Sequence, residues 1–182
     1  MFGNKVFRSS SLALSALALA ASTVCWAQAS KDSKEISGFL SDVKSEAIQL
    51  RQDADELKTF IHVGRSWESH ATKVEEIKRH VNNVGDLLAK IENVKSKASP
   101  WQQQAIDRVT PLLNELASNT TATIEQLNQK PKLLQSGPYA DYADANFEVA
   151  SNLAELVSYY VDYGKSKARS EELASKLEPT QR

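Results

Sequence analysis

This sequence is poor in sulfur and in backbone punctuation. It has one cysteine (Cys25), one methionine (Met1), six glycines and five prolines among 182 residues. A single cysteine cannot close an internal disulfide, so the fold has to be held by its core. The scattered glycines make no phosphate-cradling loop, and neither a Gly-x-Ser-x-Gly elbow nor a His-Glu-x-x-His zinc pattern occurs. No stretch alternates apolar and polar residues between turn signals, so a sheet is not expected. There is no excess of charge either: 22 basic residues face 23 acidic ones. That balance suits a soluble chain and gives no electrostatic footprint for nucleic acid or an anionic membrane.

The first 29 residues have the grading of a secretory leader. Lys5 and Arg8 supply a positive start, Leu12 to Val24 an apolar run rich in Ala and Leu, and Ala27-Gln28-Ala29 a small-x-small cleavage pattern. The apolar run is shorter than the roughly 20 residues needed to cross a bilayer. Cys25 lacks the small preceding residue expected of a lipidated cysteine, because Val24 stands there. Cleavage after Ala29 is therefore expected. Removing 29 of 182 residues leaves 153, enough for one domain with a real core. Cys25 and Met1 leave with the leader, which excludes thiolate metal sites, covalent haem attachment, cysteine nucleophiles and a methionine haem ligand from the mature chain. Losing Lys5 and Arg8 lowers the basic count from 22 to 20 against 23 acids, a net charge near −3.

The remaining sequence, 30–182, is dominated by heptad-like stripes. Ile36, Leu40, Val43, Ala47, Leu50, Ala54, Leu57 and Ile61 recur at steps of four and three. Asp32 and Glu35 are placed as a capping pair before them. Gly64 stops the run and Ser66 starts the next, which carries Val74, Ile77, Val81, Val84, Leu88 and Ile91. Ser99-Pro100-Trp101-Gln102 is a further start signal, with a cap, a first-turn proline and a residue able to reach back. The third stripe is Ile106, Val109, Leu113, Leu116, Thr120, Thr123 and Leu127, with Pro111 expected to bend it. Lys130 to Gly137 is a loop whose Leu133 and Leu134 are expected to cover one end. Pro138 opens a fourth stripe of Tyr142, Asn146, Ala150, Leu153, Val157, Tyr160 and Gly164. The pattern predicts an all-α fold, an antiparallel up-down-up-down four-helix bundle with helices near 32–62, 66–98, 99–129 and 138–177. The last helix is expected to run past Gly164 as a charged overhang.

Such a bundle would gather Phe60, His62, Trp67, His70, Tyr139 and Tyr142 at one end, and Phe39, Trp101, Tyr160 and Tyr163 at the other. His62, His70, Tyr139 and Tyr142 are the candidate ligands for a small molecule, metal or haem iron. No third metal ligand joins the histidines, and the paired Glu-x-x-His motifs of di-iron bundles are missing. Packing alone accounts for His70 at a helix start. Glu76 and His80 stand four apart as a surface pair, while Glu75-Glu76 and Glu171-Glu172 are neighbours that point apart on a helix. Thr120 and Thr123 could meet Asn146 in a polar pocket, or bond back to their own helix. All five tyrosines fall in the fourth stripe's helix; Tyr142 and Tyr160 lie on its seam, and Tyr159 lies off it as the candidate partner contact. The leading expectation is a non-enzymatic, exported bundle in the periplasm or cell envelope that contacts a protein or envelope component, without a cofactor, nucleic acid or a transmembrane segment in the mature chain. The alternative is a ligand-, metal- or haem-binding bundle using the His62/His70/Tyr139/Tyr142 end.

Overall fold

The computed structural model describes residues 31–177; the leader expected over residues 1–29 lies outside the described residues. The described chain is all-helical: α1 (Lys34–Val63), α2 (Trp67–Val94), a short 3-10 turn (Lys95–Lys97), α3 (Pro100–Gln129) and α4 (Pro138–Leu177). Among the described residues there is no strand, and no helix is long and apolar enough to cross a membrane. Each helix packs against two others: α1 and α3 both touch α2 and α4, closing a ring around one core.

The helix ends follow local chemistry. Ser33, rather than the expected Asp32–Glu35 pair, caps α1 by accepting the Ile36 N–H at 3.4 Å. Asp32 is occupied elsewhere, accepting from Trp101 Nε1 and Lys167 Nζ, each at 2.8 Å. Gly64 ends α1 at φ +67°, a left-handed turn that favours glycine, and Arg65 N–H bonds back to the Phe60 carbonyl. Ser66 caps α2 as expected. The second helix stops at Val94, four residues short of its expected end, where the chain tightens into the 3-10 turn.

The Gln102 side chain is fully buried and uses its whole hydrogen-bonding capacity. Its Oε1 accepts the N–H groups of Ser99 and Ser33, and its Nε2 donates to the Ser33 carbonyl and Ser37 Oγ. One amide thus ties the start of α3 to the start of α1. Pro111 is exposed, and α3 runs on through it. Only the bond to the carbonyl four residues back is forgone, on the water side, where solvent can satisfy it.

The stripes of α1, α2 and α3 are buried at every expected position, from Ile36 to Ile61, Val74 to Ile91 and Ile106 to Leu127. Each large side chain sealed this way, such as Leu50, Leu57 or Leu116, is worth about 1.5–3 kcal/mol of transfer free energy. The fourth stripe holds only in its middle, at Asn146, Ala150, Leu153 and Val157. At its ends Tyr139, Ala143 and Val161 are buried instead, and Tyr142, Tyr160 and Gly164 are half-exposed. A helix turns every 3.6 residues, so the seam takes an extra step of four from Val157 to Val161 and leaves Tyr160 and Gly164 to one side. At the other end Leu153, Asn146 and Tyr139 keep the seven-residue spacing, and it is the successive fours of Tyr142, Asn146 and Ala150 that depart from it. Of the loop leucines only Leu134 is buried; Leu133 is 55% exposed. The expectation that both cover the end is corrected to Leu134 alone.

Candidate functional site

The candidate residues of the first end separate into two environments. His70 is fully buried, and its Nδ1 meets the Tyr139 hydroxyl at 2.9 Å. The ring lies edge-on to both Tyr139 and Phe60. Burial pushes the imidazole below its ordinary pKa and the Tyr139 phenol above its own, so both are neutral partners in a packed cluster. Nε2 of His70 finds no hydrogen-bond partner. His62, by contrast, is exposed on the last turn of α1, and Tyr142 is half-buried. Only His70 and Tyr139 are brought together. Among the described residues no group of three or more His, Cys, Asp or Glu side chains could hold a metal.

The polar residues of the seam close on themselves. Thr120 donates to Asn146 Oδ1 at 3.2 Å, Asn146 Nδ2 donates to Thr123 Oγ1 at 2.9 Å, and Thr123 donates to the Asn119 carbonyl at 2.7 Å. All three side chains are buried. A satisfied polar layer of this kind sets the register of α3 on α4 and leaves little for a ligand to bond.

Charge gathers where α1 meets α2. Lys73 pairs with Asp53 at 3.1 Å, with Glu56 at 2.7 Å and with Glu76. Desolvation works against its charge, but the three carboxylates outweigh that and hold its pKa above the usual lysine value. His80 sits between Glu46, at 2.6 Å, and Asp53, at 3.3 Å. Asn83 donates to the same Glu46 oxygen, and these bonds keep the Glu46 carboxyl below its ordinary pKa despite partial burial. The expected Glu76–His80 pair therefore does not form. His80 turns to Glu46 and Asp53 across the helix interface, which one helix's spacing could not reveal, and Glu76 turns to Lys73 three residues before it on α2.

The α3–α4 side is open. A groove of about 830 Å³ runs along it, floored on α3 by Trp101, Gln104, Arg108 and Leu112. Its α4 wall is Asn152, Glu155, Leu156, Tyr159, Tyr160 and Tyr163. Trp101 is fixed from three directions. Its indole N–H donates to Asp32, its ring stands edge-on to Tyr163 with centroids 5.6 Å apart, and it lies on Gly164. A Cβ on Gly164 would come within 2.7 Å of that ring, so the missing side chain is what lets Trp101 seat. Tyr159 is 66% exposed and Tyr163 53%. The Tyr159 hydroxyl donates to Glu155 at 2.8 Å, which holds the ring as a fixed plane at the groove wall.

Tyr159 stands out in the sequence as the tyrosine off the seam, but the groove around it does not. Its signal was a second stripe on α4, Asn152, Leu156, Tyr159 and Tyr163, at the same steps of four and three as the buried one. Arg108 and Gln104 join it only through the packing of α3 on α4, which no local pattern encodes. Comparison with protein-family models, curated proteins and solved structures finds no match for this chain.

Proposed function

We propose that this protein is an exported, non-enzymatic structural or interaction module of the periplasm or cell envelope, which binds a protein or envelope component through the α3–α4 groove. One observation carries the reading: Trp101, Tyr159, Tyr160 and Tyr163 share one open surface on a molecule whose inner polar groups are otherwise largely paired. Rigid aromatic side chains give large contact area at small entropic cost, which suits a contact surface. Export rests on the leader-like residues 1–29.

The reading includes an up-down-up-down course for the four helices. It is supported by partners whose numbers run in opposite senses: Lys44–Asp162 and Lys58–Asp144 between α1 and α4, and Lys73–Asp53 with His80–Glu46 between α1 and α2. Trp67 bonding to the Leu127 carbonyl extends the same sense to α2 and α3.

The test is crosslinking in intact cell envelopes with wild type and Tyr159→Ala. The expected result is a crosslinked species that depends on Tyr159, with the melting temperature unchanged between the two. The same crosslinking pattern in both proteins would remove the groove from the reading. Amino-terminal sequencing of the protein from the cell envelope should begin at Ser30, and an intact Met1 start would remove export by a cleaved leader.

A further inference from the structure

The outer stripe of α4 does not stop at the groove. It continues as Asn152, Leu156, Tyr159, Tyr163, Ser166, Ser170, Leu173 and Leu177, at unbroken steps of four and three through to the end of the helix. Its first half walls the groove, and its second half lies on the overhang. From Arg169 to Leu177 every residue is exposed, with Leu173 at 50% and Leu177 at 82%. A helical extension of this length is marginal in water unless its apolar side finds something to pack on.

We infer that the groove is filled by a second copy of this chain, the overhang of each α4 lying antiparallel along the α4 stripe of the other. This rests on reading the groove as a contact surface and names its occupant. The lengths agree: residues 165–177 span about 20 Å of helix, close to the stretch from Asn152 to Tyr163 that walls the groove. The stripe is also complementary to itself when reversed. Turned about an axis beside Gly164, it sets Leu156 opposite Leu173 and Asn152 opposite Leu177. The bulky rings of Tyr159 and Tyr163 then face Ser170 and Ser166. Each of the two large rings of the groove half meets a serine of the overhang, and leucine meets leucine at Leu156 and Leu173.

The flanking charges follow the same reversal. One edge of the stripe carries Glu155, Asp162, Arg169 and Lys176, two acids followed by two bases at intervals of seven. In the antiparallel pair Asp162 faces Arg169 and Glu155 faces Lys176, each twice by symmetry. A parallel pair would instead set this edge against the opposite edge of the other helix, Tyr160, Lys167 and Ala174, where only Asp162 meets a base. Edge charges of this kind choose orientation in helix pairs. Asp162 gives one oxygen to Lys44 yet stays 63% exposed, so it can accept a second partner. A two-fold contact closes at two chains because each donates the same patch that it receives.

Sedimentation equilibrium of the purified full chain at micromolar concentrations should show a reversible dimer. Arg169→Glu creates like-charge contacts with Asp162 at both symmetric positions and should raise the dissociation constant at least about tenfold. The exchanged double variant Asp162→Lys/Arg169→Glu restores opposite charges and should return to within about threefold of wild type. A monomeric wild type, or a double variant as weak as the single one, overturns the inference. A photo-crosslinker placed at residue 159 separates its failure from that of the wider reading. Linkage to residues 165–177 of another copy supports the dimer, and linkage to a different protein overturns the dimer while keeping the groove as a contact surface. No linkage at all overturns both.

Discussion

The α1–α2 and α3–α4 pairs share the same kind of inner seam and differ on their outer flanks. Across α1–α2 the flank is charged and closed, with Lys73 and His80 reaching over the seam to carboxylates on the other helix. Across α3–α4 the flank is aromatic and open, and Tyr159 and Tyr163 keep more than half of their surface toward solvent. The seam therefore explains why the chain folds, and the flanks explain what each side can do. A flank whose groups are mutually satisfied has no bonding capacity left for a partner. A flank of fixed rings with exposed faces keeps that capacity.

The sharpest way to break the comparison is to empty the closed flank. Lys73→Met keeps the length of the side chain and removes the charge that Asp53, Glu56 and Glu76 share. Three carboxylates would then stand together with their lysine gone, in a place where the Lys73 side chain is only 11% exposed. Removing one partner of a sheltered ion cluster leaves the others uncompensated, and we expect a loss of about 3 kcal/mol in urea unfolding. The loss should shrink as the pH is lowered into the carboxylate range, because protonation relieves the crowding. A variant as stable as wild type at neutral pH would show that the closed flank is only a solvated surface.

The buried His70 gives a second, pH-dependent effect, smaller than the first. Its folded pKa lies below the ordinary value of 6.5 because burial disfavours the imidazolium. The unfolded chain therefore binds a proton at a pH where the folded chain does not. Stability from this residue is complete above about 6.5 and is lost as the pH falls from there toward the folded value. Asp32 and Glu46, whose folded pKa values are depressed, add a separate loss below their ordinary values of 3.8 and 4.5. Urea midpoints of wild type should thus fall between about pH 7.5 and pH 5.5, while His70→Gln should stay flat over that span. Parallel slopes for the two proteins would remove His70 as the source.

Much of the inner seam was legible because a helix writes its buried face into the sequence at a fixed step. Ile36 to Ile61 and Ile106 to Leu127 needed nothing beyond that rule. The start of α3 was equally readable, since Ser99, Pro100 and Gln102 act within one turn. Gln102 also shows where such reading stops: its reach to Ser33 and Ser37 spans more than 60 residues of chain. The groove was hidden for the same reason, being a product of two helices laid side by side. Tyr160 falls on the seam only by a strict step of seven that a straight helix does not keep, and Tyr142 only by two successive steps of four from Ala150. The seam steps from Asn146 to Ala143 instead, and Tyr139 takes the buried place.

That exchange of tyrosines allows the finest test, the same small change made on each side of the comparison. Tyr139 is buried, and its hydroxyl is the partner of His70 Nδ1. Tyr139→Phe leaves that nitrogen with nothing to bond, beside an Nε2 that already lacks a partner, and should cost about 1 kcal/mol in unfolding free energy. Tyr159→Phe removes a hydroxyl that bonds only Glu155 at the surface, where water replaces it, and should leave the unfolding midpoint where it was. The groove's contact should survive as well, because the ring face makes it and the hydroxyl is turned to Glu155. Equal losses of stability from the two variants would mean that the open flank contributes to folding as the buried end does, and the division between a sealed side and a binding side would not stand.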